Sequence, residues 1–192
     1  MMTRHLLLAG LLAWAVPHFA SSEETQISSF DPFRALEVSA HRKLMDKIDE
    51  TGRSPSPFET DGCSGGMSAS WSLAVELFPN LSEKNLENLP WRDCCVTHDR
   101  AYHNAGGANE AEESYDLRLQ ADETLRACVI ETGETQSEQT AEQLGLSEAQ
   151  VKTGFRVVAQ SMYNAVRLGG GPCSGLPWRW GFGFDKCISL LK

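Results

Sequence analysis

The chemically dense stretch of this chain is PWRDCCVTHDRAYHNAGG, Pro90 to Gly107. His98 exchanges a proton near neutral pH and is the candidate general base, provided an acceptor holds its second ring nitrogen and fixes the tautomer. Asp99 is too far around a helix to serve. A better acceptor lies downstream in QADETLRACV, where Asp122 sits among Leu119, Leu125 and Val129. A carboxylate on an inward-facing apolar stripe needs a partner, and His98 is a suitable one. Asp99 is then free for another task, most naturally holding a hard cation. Calcium accepts carboxylate and backbone carbonyl oxygens, and a glycine-rich loop can turn its carbonyls inward. DGCSGG, Asp61 to Gly66, is such a loop, and its Cys63 could be tied to Cys95 beneath Asp99.

These groups must be positioned by a helix. On a helical wheel, Cys94, Cys95, His98, Asp99 and Tyr102 all fall within one face of roughly 140°. His98 is one turn from both Cys94 and Tyr102, and Asp99 is one turn from Cys95. Yet Cys94 to Asp99 are mediocre helix formers, together forgoing about 3–4 kcal/mol against alanine. Such a run needs outside anchors. A cysteine one turn below each functional group can pin that side of the helix to another element.

The 192 residues, 41% apolar, suffice for one core. The opening MMTRHLLLAGLLAWAVPHFASS has a short basic start, an apolar run from Leu6 to Val16, then small residues. It reads as a signal peptide over residues 1–22, leaving residues 23–192 as a single domain; the run is too short for a membrane anchor. Export, to the medium or a periplasm, makes three disulfides the simplest use of Cys63, Cys94, Cys95, Cys128, Cys173 and Cys187, with 15 connectivities open. Zinc is disfavoured, because no second half-site accompanies Cys94, Cys95 and His98. Losing the leader removes Arg4 and no acid, leaving 16 basic against 26 acidic side chains. That surface argues against nucleic acid and against a purely electrostatic grip on anionic membranes.

Period-two alternation is nearly absent, so helices are expected throughout. Asp31-Pro32 starts one and Gly52 stops it, with Phe33, Leu36, Val38, Leu44 and Ile48 on its apolar side. Gly52 to Ser68 is loop, and a short helix is expected near Ala69 to Leu77. The central helix opens at Pro90 and closes at Gly106-Gly107. Another runs from about Glu110 to Thr132, closed by Gly133. GETQSEQTAEQ reads as a mobile connection or frayed helix. Ser147 with Gln150 forms a capping box before a helix carrying Val151, Phe155, Val158, Met162 and Val166 and ending at Gly169. The tail gathers Trp178, Trp180, Phe182 and Phe184 between Cys173 and Cys187, suited to packing or to docking on lipid. His41 and His103 have no supporting pattern and read as surface residues. Asn80-Leu81-Ser82 fits a glycosylation sequon.

CCVTHDRAY resembles the C-C-x-x-H-D-x-x-Y signature of secreted phospholipases A2, DGCSGG their calcium loop, and ADETLRAC their later Asp-x₅-Cys segment. Order and context are closest to the group XII branch, over roughly Ser54 to Cys128. The resemblance implies His98 as the base that activates water, Asp122 as its orienting acid, and Tyr102 as a donor into the same network. It implies calcium on Asp99 with carbonyls of Gly62, Ser64 and Gly66. It also implies the pairs Cys63–Cys95 and Cys94–Cys128, leaving Cys173–Cys187. A further family bridge falls at Ala101 and Ala121, so both its halves are absent together. Where most members place a hairpin, only NAGGAN separates the two long helices. The expected fold is therefore all-α: two antiparallel, disulfide-linked long helices carrying the site, with further helices and an irregular C-terminal segment.

The implied activity is calcium-dependent hydrolysis of the sn-2 ester of glycerophospholipids, on a membrane or micelle surface, by a monomeric protein. No covalent serine is required. The alternatives are a non-catalytic lipid- or protein-binding relative on the same scaffold, and a cysteine-based redox protein.

Overall fold

The computed structural model describes residues 31–60, 62–63, 76–77 and 89–187. They form five α-helices: α1 Pro32–Thr51, α2 Arg92–His103, α3 Ala111–Thr135, α4 Ser137–Leu144 and α5 Glu148–Gly169. A 3-10 turn, Ala105–Gly107, joins α2 to α3, and no strand occurs among the described residues. The leader, the Asn80 sequon and all of the expected helix near 69–77 but Glu76 and Leu77 lie outside them.

The Asp31 carboxylate accepts the backbone N–H of Phe33 (2.9 Å) and Arg34 (3.2 Å), Pro32 fills the first helical position, and Gly52 at φ +107° ends α1. Its inward stripe differs from the expected one. Val38, His41, Leu44, Met45 and Ile48 are buried, whereas Phe33 and Leu36 stand 82% and 73% exposed. His41 is therefore no surface residue. It lies three residues from both Val38 and Leu44, on the same face, and its Nδ1 is 2.8 Å from Ser114 Oγ. His103 is also buried, with Phe58 and Phe182 edge-on to its ring.

Helix α3 is the centre of the packing, in contact with α1, α2 and α5, while α4 lies against α5. It runs on through Gly133, the expected stop. A Cβ there would fall 2.4 Å from Phe155 Cβ, so this glycine lets α5 approach rather than ending a helix. The polar run that follows is helix α4, because Ser137, Thr140 and Ala141 are small enough to bury without an apolar stripe, and Gly145 caps it in the left-handed region at φ +67°. Helix α5 has the expected capping box at Ser147 and Gln150, and it buries Val151, Phe155, Val158, Met162 and Val166.

The three disulfides are Cys63–Cys95, Cys94–Cys128 and Cys173–Cys187, and no described cysteine is free. Cys94–Cys128 ties α2 to α3. Cys63–Cys95 ties α2 to the preceding loop. Two crosslinks within one helical turn offset the poor propensity of that run. The tail is core rather than an exposed patch at Trp180, which is wholly buried. It also finishes α2: Gly181 N–H donates to Tyr102 O (2.7 Å) and Gly183 N–H to His103 O (2.9 Å), carbonyls that a helix end leaves without intrahelical partners. No described helix is long and apolar enough to cross a membrane.

Candidate functional site

His98 projects from α2 toward α3, its Nε2 2.9 Å from Asp122 Oδ1. The same oxygen accepts the Tyr102 hydroxyl at 2.7 Å. Tyr102 is one turn after His98, so the helical repeat delivers imidazole and phenol to one carboxylate. Asp122 is wholly buried, and its Oδ2 accepts Arg167 Nη1 at 3.0 Å. A carboxylate ringed by donors is an acceptor toward His98, so in the neutral ring Nε2 carries the proton and Nδ1 keeps its lone pair. Burial alone would lower the His98 pKa, but the hydrogen bond to Asp122 and the nearby Asp99 carboxylate outweigh it and hold the imidazole above its ordinary value. Burial likewise pushes the Tyr102 phenol well above its ordinary range, against the pull of Arg118, so it stays a neutral donor.

On its Nδ1 side, His98 lies 3.9 Å from Asp99 Oδ1. Both residues border a cavity of about 20 Å³ together with Gly62, Cys63, Cys95 and Trp178. That is room for one water. Asp99 Oδ2 accepts the Thr60 hydroxyl at 2.5 Å, and Thr60 Oγ1 in turn accepts the Gly62 N–H at 3.0 Å. Thr60 thus couples the acid to the loop. Gly62 sits at φ +79°, the left-handed region that favours glycine. His98 also borders a cavity of about 260 Å³ walled mainly by small and apolar side chains, among them Ala101, Leu117, Ala121 and Leu125.

The fit to a metal follows from the donor chemistry. Cys63 and Cys95 are bonded to each other, so neither offers a thiolate to zinc. Asp99 is a half-buried carboxylate beside Gly62, and carboxylate and carbonyl oxygens suit a hard, oxygen-preferring cation. Asp99 and Gly62 line the same cavity. Ser64 and Gly66 lie outside the described residues, and no group of three or more metal-ligating side chains gathers among the described ones.

Four further residues belong to this site and were not expected from the sequence: Thr60, Glu37, Arg118 and Arg167. Arg118 alone left a local signal, four residues before Asp122 on the same face of α3. Comparison with known protein families, with curated proteins and with solved structures finds no match. The functional assignment therefore stands on the site itself.

Proposed function

We propose that this chain is an exported, calcium-dependent, phospholipase A2-like hydrolase of the sn-2 ester of glycerophospholipids. Its two long helices are antiparallel in this reading, and it works as a monomer on a membrane or micelle surface. The observation that carries the reading is the orientation of His98. Its Nε2 is held at 2.9 Å by a buried carboxylate while its Nδ1 lies 3.9 Å from Asp99 Oδ1, and both residues line a water-sized cavity. The disulfides support an oxidising destination.

In this mechanism, a water in the cavity donates to His98 Nδ1. As its oxygen attacks the ester carbonyl, the proton passes to Nδ1. Asp122 keeps the ring in the productive tautomer and stabilises the imidazolium that forms, while Tyr102 holds the carboxylate from the same side. When the tetrahedral adduct collapses, Nδ1–H returns the proton to the departing alkoxide, releasing fatty acid and lysophospholipid. Asp99 and Gly62, with Ser64 and Gly66, would hold the cation. Bound calcium supplies positive charge for the oxyanion and the lipid phosphate.

Fatty-acid release from phospholipid vesicles, with and without calcium, tests the reading. His98→Gln abolishes turnover and leaves calcium binding intact. Undiminished lipolysis in that variant would end the mechanism. A wild-type chain that binds vesicles but releases no acid would instead indicate the non-catalytic relative.

A further inference from the structure

We propose that Arg167 is a positioning residue for His98, acting through Asp122 and itself held by Glu37, a role that presupposes His98 as the general base. Oδ1 of Asp122 receives both His98 Nε2 and the Tyr102 hydroxyl. Two donors on one oxygen leave the carboxylate free to turn about its last side-chain bond, so that either oxygen can face the ring. Arg167 removes that freedom. Its Nη1 donates to Oδ2 at 3.0 Å from a third helix, α5, fixing the carboxylate plane.

The guanidinium is fixed in turn. Nη2 of Arg167 donates to Glu37 Oε2 at 2.7 Å, so one planar fork spans carboxylates on α1 and α3, which a single ammonium cannot do with the same geometry. Arg118 is not equivalent. Its Nε lies 3.9 Å from Asp122 Oδ2, beyond hydrogen-bond reach, and donates to the Tyr102 hydroxyl at 3.1 Å instead. The Arg118 Nη groups bind Glu37 and the carbonyls of Val166 (2.7 Å) and Arg167 (3.1 Å). Those carbonyls lie in the last turn of α5, where Val166 O also accepts the Gly170 N–H at 2.8 Å. Arg118 therefore braces the turn from which Arg167 reaches. Two guanidinium groups face two carboxylates, so the set is balanced in charge while His98 is neutral.

A purely structural ion pair and a positioning one differ in what they do to the ring. In the full-length chain, Arg167→Met should lower kcat for fatty-acid release from phosphatidylcholine vesicles about 10- to 100-fold while KM moves less than about twofold. In the same variant, the Nε2–H proton resonance of His98, read by NMR on ¹⁵N-histidine-labelled protein, should move upfield and broaden. Glu37→Gln, which keeps side-chain size and one acceptor, should shift that resonance in the same direction by less. An unchanged resonance in both variants overturns the assignment, whatever happens to stability. If Arg167→Met does not fold, Glu37→Gln decides by the same resonance. If wild-type protein releases no fatty acid, the hydrolase reading fails, and the resonance alone still decides whether Arg167 sets the ring.

Discussion

Replacing Asp122 by asparagine keeps the shape of the side chain and removes its charge, so it isolates what the carboxylate does. Three donors converge on it: His98 Nε2, the Tyr102 hydroxyl and Arg167 Nη1. An amide has one acceptor oxygen and one NH₂. If the oxygen stays toward His98 and Tyr102, the NH₂ meets the Arg167 guanidinium, donor against donor. If the amide flips, the NH₂ faces Nε2, and the ring must move its proton to Nδ1, where a lone pair is needed. Breaking a buried ion pair costs about 3–5 kcal/mol. Glu37 still neutralises Arg167, so the lower end, about 3 kcal/mol, is expected. With total stabilities of about 5–15 kcal/mol, the variant remains folded. An imidazole in the wrong tautomer loses about 10⁴-fold in turnover where this has been isolated in serine hydrolases. Urea denaturation and fatty-acid release check both numbers. Stability within about 0.5 kcal/mol of wild type would refute the donor count, and turnover within about tenfold would refute the tautomer argument.

Removing the Cys94–Cys128 bridge by a double serine substitution should cost about 4 kcal/mol in urea denaturation, from the loop entropy of its 34-residue span; a loss under about 1 kcal/mol would contradict the anchoring role given to it. Gly133→Ala would normally gain up to about 1 kcal/mol in a helix, but the close Phe155 ring should reverse the sign to a net loss of about 1–3 kcal/mol, measurable by the same method. Two histidines should shape stability against pH in calcium-free buffer, with opposite signs. Burial, opposed by Glu37, lowers the folded pKa of His41 below 6.5, so its contribution is intact above 6.5 and is lost as pH falls toward the folded value; His41→Gln should remove that limb. The folded pKa of His98 is raised, so its contribution is full below 6.5 and is lost as pH rises through the folded value; His98→Gln should remove the alkaline limb, and denaturation midpoints across pH 5–8 read both.

The parts of this molecule legible in the sequence are those governed by neighbours along the chain. The Asp31-Pro32 start, the Ser147–Gln150 capping box and the stripe from Val151 to Val166 each depend on one helical turn. The placement of His98, Asp99 and Tyr102 on one face of α2 follows from the same repeat. Asp122 stands out because a charge on an apolar stripe demands a partner. Where a residue's meaning depended on what packs against it, the chain alone was silent or misleading. Gly133 looks like a helix stop until Phe155 is set beside it, and His41 looks like surface until Ser114 and Glu37 close over it.

The sequence by itself therefore determined which side chains share the face of α2, because a 3.6-residue repeat fixes direction without reference to anything distant. Only the tertiary structure decided which His98 nitrogen is held and what holds the holder. His98 and Asp122 are 24 residues apart, and Glu37 and Arg167 are 130 apart. No local propensity links such positions. They meet because α3 packs against α1, α2 and α5 at once, leaving each buried charge with only those partners to satisfy it.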